Sequence, residues 1–171
     1  QAQKSGYRSR AVYKLLELHE RDRLFKPGMV IVDLGAAPGG WSQLVAPLVG
    51  KKGRVIALDI LPMKELPDVE FIQGDFSEEA THQTLLDTLG GTEVIWVISD
   101  MAPNLSGITN VDQPRSILLS EMALEFALQV LPKDGGFLIK VFLGEGFDAY
   151  LKTIRSHFQK VLIRKPKASR D

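Results

Sequence analysis

The chain of 171 residues contains no cysteine and only three histidines. The absence of cysteine excludes disulfides, thiolate metal sites and a cysteine nucleophile, and it is compatible with the cytosol. The histidines (His19, His82 and His157) lack metal-ligand spacing, so no metal site is expected. Because the sequence has no run of about 18 apolar residues and no signal-peptide pattern, we expect no membrane segment and a cytoplasmic location.

The composition that remains, 44% hydrophobic and 25% charged residues, is typical of a globular protein with a full core. Length predicts one domain over residues 1–171, which we expect to be a monomer. Within it we expect a basic helical segment over 1–26, an α/β core over 27–165 and a basic tail over 166–171.

Positive and negative charges are equal in number, 21 of each, but they are segregated along the chain. Residues 1–26 have a net charge of +4, residues 151–171 have +6, and the middle of the chain has −10. If the two ends meet on one side of the fold, they form a cationic surface suited to a phosphate backbone. Solvated charged termini would give the same pattern, and charge alone does not decide between the two.

A strand that leads through a glycine-rich turn into a helix is the centre of the sequence. The β-branched run from Val30 to Leu34 is typical of a buried parallel strand, and residues 35–40 are Gly-Ala-Ala-Pro-Gly-Gly. Such a turn, beginning at Gly35, directs backbone N–H groups toward a ligand above the strand end. Ala37 replaces the glycine that approaches a pyrophosphate, which favours S-adenosylmethionine as cofactor. An ordinary turn, with glycine for geometry alone, is the alternative.

Three later strands are predicted to end in an acid. Asp59, Asp75 and Asp100 end the strands predicted over 54–59, 69–76 and 93–100. Asp59 follows the glycine-rich turn at the sequence spacing at which nucleotide-binding folds place an acid on the ribose hydroxyls. Asp75 could accept a hydrogen bond from an adenine amino group, with Phe76 against the adenine ring. The alternatives are a cap or turn residue for Asp59 and a loop acid for Asp75.

Lys140 is unusual because it lies inside the apolar strand predicted over 137–142. A lysine in such a strand needs a partner or access to the strand end, and Asp100 on the preceding strand is the expected partner. A lysine at a strand end or sheet edge that reaches water is the alternative.

Four segments resemble the FtsJ-type ribosomal RNA 2'-O-methyltransferases, and the similarity covers nearly the whole chain. They are Ser9–Leu15, Asp33–Gln43, Ser99–Asn104 and Ile139–Phe147. Members of that family transfer a methyl group from S-adenosylmethionine to a ribose 2'-hydroxyl, and the bacterial branch modifies a uridine of large-subunit (23S) ribosomal RNA.

The resemblance implies roles for individual residues. It implies cofactor binding by Gly39, Trp41, Asp59, Asp75 and Asp100, in addition to Gly35 of the turn. It also places Lys14, Asp100 and Lys140 in a catalytic Lys-Asp-Lys-Glu set. The family's glutamate, on a last strand after the basic tail, has no counterpart in this sequence, so the expected sheet lacks that strand.

We therefore predict a Rossmann-like α/β methyltransferase fold, a mostly parallel sheet with helices on both faces and strand order 3-2-1-4-5-6. The sixth strand is predicted at 160–165, and Ser9 and Ser77 are predicted N-caps of the first and third helices. In the predicted reaction Lys140 is the general base, Asp100 orients it, and ribosomal RNA lies across the basic ends. A noncatalytic RNA-binding domain and an NAD-dependent oxidoreductase are the alternatives.

Overall fold

The computed structural model describes residues 6–101 and 109–167, the side chains of 109–113 excepted. These residues form five strands and five helices. The strands are β1 (Val30–Leu34), β2 (Arg54–Asp59), β3 (Val69–Gln73), β4 (Trp96–Ser99) and β5 (Gly136–Ile139). The helices are α1 (Ala11–Asp22), α2 (Gly40–Val49), α3 (Glu79–Leu89), α4 (Thr109–Val130) and α5 (Phe147–His157). None of the helices in this part of the chain is long and apolar enough to cross a membrane.

The five strands form one parallel sheet in the order β3-β2-β1-β4-β5. The predicted class and the predicted order of the first five strands are confirmed. Central β1 is buried along its whole length, with Val32 opposite Ile56 of β2 and Val97 of β4. Because the strand order reverses at β1, the carboxyl ends of β1 and β4 flank the crevice where such sheets bind ligands.

Helices cover both faces of the sheet. On one face Val32 packs in a cluster with Leu85 of α3 and Phe126 of α4. On the other face Ile31 packs in a cluster with Leu15 of α1 and residues of α2. Each fully buried aliphatic side chain stabilises the fold by roughly 1.5–3 kcal/mol, so the alternating side chains of β1 fix α1 and α2 to one face.

The predicted sixth strand is wrong, since residues 160–165 form no strand in the described structure. This segment lies beside α1 instead of beside a strand. Arg164 is ion-paired with Asp22 at 3.2 Å, and the backbone N–H of Lys167 donates to Glu17 at 2.7 Å. A strand requires a neighbouring strand that accepts and donates its backbone hydrogen bonds. The contacts of Arg164 and Lys167 place this segment beside helix α1 instead.

Both predicted serine N-caps are also wrong. Arg10 is at the N-cap of α1 without a side-chain cap bond, and Ser9 lies against Gly40 of α2. The N-cap of α3 is Glu78, while Ser77 donates from its backbone and hydroxyl to Asp75 at 2.9 and 2.7 Å. In both cases the hydroxyl-bearing residue lies just before the helix and contacts another group.

Three strands are shorter than predicted. β3 ends at Gln73 rather than Phe76, β4 begins at Trp96 rather than Glu93, and β5 ends at Ile139 rather than Phe142. The apolar runs continue beyond these limits, but a strand extends only where its neighbour continues the ladder.

Candidate active site

The glycine-rich turn is held against the ends of the neighbouring strands. The backbone N–H groups of Gly35 and Ala36 donate to the carbonyl of Leu58 at 2.9 and 3.0 Å. A Cβ on Gly35 would lie 2.8 Å from the Cα of Met101, just after β4. Glycine is required here because the backbones of two strand ends approach too closely for any side chain.

Asp59 joins the turn to the end of β2. Its Oδ2 accepts a hydrogen bond from the N–H of Ala37 at 2.8 Å, and its Oδ1 accepts one from the N–H of Leu61 at 2.9 Å. The carboxylate is half-exposed, and each of its oxygens has a second lone pair for a ligand hydroxyl. Asp59 therefore makes the turn contacts of the alternative, and ribose binding by its remaining lone pairs stays a prediction.

The N-terminus of α2 follows directly from the turn. Gly39 is at its N-cap with φ +114°, and the first helical hydrogen bond runs from Gln43 N–H to Gly39 at 2.8 Å. The N–H groups of Gly40 and Trp41 precede that bond and have no helical partner, so they can bind a ligand. The side chain of Trp41 is buried and donates to the carbonyl of Ala11 at 3.0 Å, so only its backbone N–H is placed to contact a ligand, and cofactor binding by Trp41 stays a prediction.

Asp33 lies fully buried in β1, below this helix terminus. Its Oδ2 accepts a hydrogen bond from the Ser42 hydroxyl at 2.7 Å, while its Oδ1 has no hydrogen-bond partner in the described part of the chain. Burial raises the pKa of Asp33 to about 7, the Ser42 hydrogen bond opposes this rise, and the charges of Asp100 and Asp59 add to it. Asp33 is therefore a buried acid that is about half protonated near neutral pH.

Asp100 and Lys140 form an ion pair, as predicted from their strands. Asp100 N–H donates to Leu34 at 3.1 Å and Lys140 N–H donates to Ser99 at 3.0 Å, so the two residues continue the β4–β5 register by one step. Their side chains meet through Lys140 Nζ and Asp100 Oδ1 and are 34% and 19% exposed, respectively. Lys140 is the first residue after β5 rather than inside it, which explains how its amine reaches the edge of the sheet.

Lys14 is half-buried on α1. Leu15 of the same helix packs with Ile98 and Leu138, which precede Asp100 and Lys140 by two positions on their strands. Because side chains alternate along a strand, α1 covers the face to which this ion pair points. Among the described residues Lys14 makes no hydrogen bond or ion pair with either partner, so its catalytic role stays a prediction.

Asp75 follows the end of β3, next to β2, where Gly74 N–H donates to the Asp59 carbonyl at 2.9 Å. The hydrogen bonds from Ser77 lower the pKa of Asp75, as expected for a loop acid at a turn. Phe76 is buried and stacks on His82 at 4.3 Å, so it is not available to an adenine ring. Adenine binding by Asp75 stays a prediction, and the proposed contact of Phe76 is wrong.

These residues form a site whose chemistry suits a nucleoside with a charged tail. N–H donors lie at the start of α2, a carboxylate lies at the end of β2, and an ion pair lies at the ends of β4 and β5. Oδ1 of Asp33, the carboxylate oxygen without a hydrogen-bond partner in the described part of the chain, is buried beneath the turn. A buried acceptor without a donor lowers the free energy of unfolding. The residues present therefore fit S-adenosylmethionine, as the sequence predicts.

Two functional candidates were missed in the sequence. Asp33 interrupts an otherwise apolar buried strand, and the argument that singles out Lys140 applies to it equally. Arg8 appears in the sequence only as one of several N-terminal cations, whereas its guanidinium contacts the turn. The residues 102–104 of the segment that resembles the family lie outside the described residues.

Comparison with known proteins identifies the family of the chain. The FtsJ-like methyltransferase family profile matches residues 7–171. The chain is 62% identical over 170 residues to the ribosomal RNA large subunit methyltransferase E of Alkalilimnicola ehrlichii and 59% identical to that of Pseudomonas fluorescens. Each alignment covers 99% of this chain and 81% of the relative.

The fold also matches a solved structure. A protein described as a ribosomal RNA methyltransferase from Plasmodium falciparum superimposes with a TM-score of 0.86 at 29% sequence identity. The superposition covers 95% of this chain and 93% of that protein. With a family profile that spans nearly all its residues and relatives near 60% identity, the chain belongs to the FtsJ-like methyltransferase family.

Proposed function

We propose that this protein methylates a ribose 2'-hydroxyl of large-subunit ribosomal RNA in the cytoplasm, with S-adenosylmethionine as the methyl donor. The observation that carries the proposal is the Asp100–Lys140 ion pair at the strand ends, beside the glycine-rich turn. The RNA substrate is inferred from the names of the relatives from Alkalilimnicola and Pseudomonas.

Cofactor binding is assigned to the turn and the adjoining strand ends. Gly35 and Gly39 allow the backbone to approach the cofactor, the N–H of Trp41 donates to it, and Asp59 accepts from its ribose hydroxyls. Asp75 would accept from the adenine amino group, and Asp100 borders the methyl-donor end. The sulfonium of the bound cofactor supplies an activated methyl group, so the protein's task is to position the nucleophile and remove its proton.

Lys140 is proposed as the general base. Its Nζ takes the proton of the 2'-hydroxyl as the oxygen attacks, which requires the amine in its neutral form. Asp100 holds Nζ in a fixed direction, and Lys14, on the helix that covers the same face, adds positive potential near the developing oxyanion. Positioning of the 2'-oxygen in line with the methyl group is the main source of rate enhancement.

The RNA is proposed to bind where the two basic ends of the chain meet. Arg164 contacts Asp22 and Lys167 contacts Glu17, which brings the C-terminal segment alongside α1. Arg164 thereby neutralises Asp22 of α1, and an exposed cation such as Lys160 is available to phosphates. The target nucleotide would be extruded to bring its ribose to Lys140.

The proposed base is tested with Lys140→Met and Lys140→Arg. Single-turnover methyl transfer to large-subunit ribosomal RNA should fall about 10²- to 10⁴-fold in both variants, the usual contribution of a positioned base. Arginine is almost always charged and should not rescue transfer, although it can still pair with Asp100.

Calorimetric titration with S-adenosylmethionine and a thermal melt of each variant are the controls, and Lys140→Arg should be near wild type in both. Isolated large ribosomal subunits, used as a second substrate, show whether the RNA is recognised alone or in the particle. Near-native turnover by Lys140→Arg would exclude the general-base role and leave only the ion pair.

A further inference from the structure

Residues 6–11, which we call the N-terminal strap, lie across the first turn of α2. The side-chain amide of Gln43 donates to the Gly6 carbonyl at 2.8 Å, and its Oε1 accepts from the Arg8 N–H at 2.9 Å. At the other end of the strap, the indole N–H of Trp41 donates a hydrogen bond to the carbonyl of Ala11. The strap is thus fixed to the helix whose N-terminus borders the cofactor site.

The guanidinium of Arg8 continues this contact into two loops. One terminal nitrogen donates to the carbonyls of Pro38 and Lys64 at 3.3 and 2.5 Å, and the other donates to the carbonyl of Glu65 at 2.8 Å. Pro38 belongs to the glycine-rich turn, whereas Lys64 and Glu65 belong to the segment between β2 and β3. A planar fork with five donors can bridge such separate acceptors, and a lysine ammonium cannot do so with the same geometry.

The strap and this segment pack tightly on the turn. A Cβ on Gly40 would lie 2.5 Å from the Ser9 hydroxyl. A Cβ on Gly39 would lie 2.9 Å from Leu66 and 3.4 Å from the Arg8 side chain. The outer side of the turn therefore has no free space, and its position depends on the residues that enclose it.

We infer that Arg8 is a positioning residue of the cofactor site. It fixes the glycine-rich turn, with its N–H donors, to the segment that follows Asp59, the proposed ribose acceptor. The two halves of the site are thereby held at one separation before the cofactor binds. This inference rests on the proposed function, because it takes S-adenosylmethionine as the ligand. Contact with RNA phosphates is the competing role for this arginine, but all three of its described guanidinium acceptors are carbonyls of the site's own loops.

The test measures S-adenosylmethionine affinity without RNA, by calorimetry, for Arg8→Lys and Arg8→Ala. Both variants should bind about tenfold more weakly or worse, and the lysine variant should not restore affinity although it keeps the charge. In methyl transfer, KM for S-adenosylmethionine should rise while KM for RNA changes less than twofold.

Two control variants separate positioning from general stability and from charge. Arg54 pairs with Glu70 and donates to the carbonyls of Thr88 and Leu89, at the opposite end of β2. Arg54→Ala should lower the melting temperature at least as much as Arg8→Lys and leave S-adenosylmethionine affinity within twofold. Arg10→Ala, at an exposed arginine of the same strap, should also leave that affinity within twofold.

The outcomes distinguish the two proposals. If the wild type binds S-adenosylmethionine and Arg8→Lys binds it equally well, the positioning role is refuted and the proposed function stands. An affinity loss that is equally large in Arg54→Ala would also refute it, since stability alone would then explain the effect. If the wild type does not bind S-adenosylmethionine at all, both proposals fail.

Discussion

Replacement of Asp33 by asparagine is expected to reduce the pH dependence of the protein's stability. Burial raises the pKa of Asp33 from 3.8 to about 7 in the folded state. Between these values the folded protein retains a proton that the unfolded chain has released, so the free energy of unfolding falls as pH rises. A pKa difference of about 3 corresponds to about 4 kcal/mol, and the loss is complete above the folded-state pKa.

Asparagine keeps the shape of the side chain and removes its ionisation. Its carbonyl oxygen can accept the bond from Ser42, while its NH₂ group takes the place of the oxygen without a partner. A buried amide without an acceptor costs roughly 1–3 kcal/mol, and this cost is the same at every pH. The loss of unfolding free energy caused by the ionisation of Asp33 does depend on pH, and roughly 3 kcal/mol of this loss occurs between pH 5 and pH 8.5.

The assay is urea unfolding of the cofactor-free protein at pH 5 and pH 8.5, followed by tryptophan fluorescence. Between these pH values the wild type should lose about 3 kcal/mol more stability than Asp33→Asn, and the constant cost cancels in this comparison. Ser42→Ala is the matched control: it removes a hydrogen bond that lowers the pKa of Asp33, so it should enlarge the pH dependence. Equal pH dependence in wild type and Asp33→Asn would refute a buried acid that ionises near neutral pH.

Two further predictions concern ligand binding. Asp59→Ala should weaken S-adenosylmethionine binding by roughly 1–3 kcal/mol, because it removes a ribose acceptor and the bond to Ala37, and Asp59→Asn should lose less; a calorimetric Kd within twofold of wild type for the alanine variant would contradict the ribose role. The double change Arg10→Ala and Lys160→Ala should weaken RNA binding and flatten the dependence of log K on log salt, with cofactor affinity unchanged; an unaltered salt slope would show that these are ordinary solvated charges.

The sheet could be predicted from sequence because its central strands β1, β2 and β4 are largely buried from both sides. β1 and the runs after it are short, rich in β-branched residues and separated by glycine or proline, a pattern that helices rarely show. The segment at 160–165 has the same local pattern, but Leu162 and Ile163 are 50% and 56% exposed there. A local sequence pattern shows that a segment is able to form a strand. Whether it does so depends on a neighbouring strand with which it can pair, and the pattern does not specify that neighbour.

The candidate site was predicted where topology alone determines position. Asp59 and Asp100 lie at carboxyl ends of strands in one sheet, so strand order was sufficient to bring them to one edge. The bonds of Arg8 could not be predicted in this way, since Lys64 and Glu65 are 56 and 57 residues away in loops without periodicity. Such contacts depend on loop backbone geometry, for which a single sequence contains no simple signal.

The ion pair and the buried acid depend on each other. Asp33 lies in β1 beneath α2, Asp100 directly follows the adjacent strand β4, and the charge of Asp100 is one cause of the raised pKa of Asp33. A protonated Asp33 adds no second negative charge near Asp100, the carboxylate that is paired with Lys140. Removal of the Lys140 cation would leave Asp100 without its counter-charge and make ionisation of Asp33 still less favourable. The protonation state of Asp33 therefore affects the electrostatic environment of Lys140, the proposed base, although the side chain of Asp33 is fully buried.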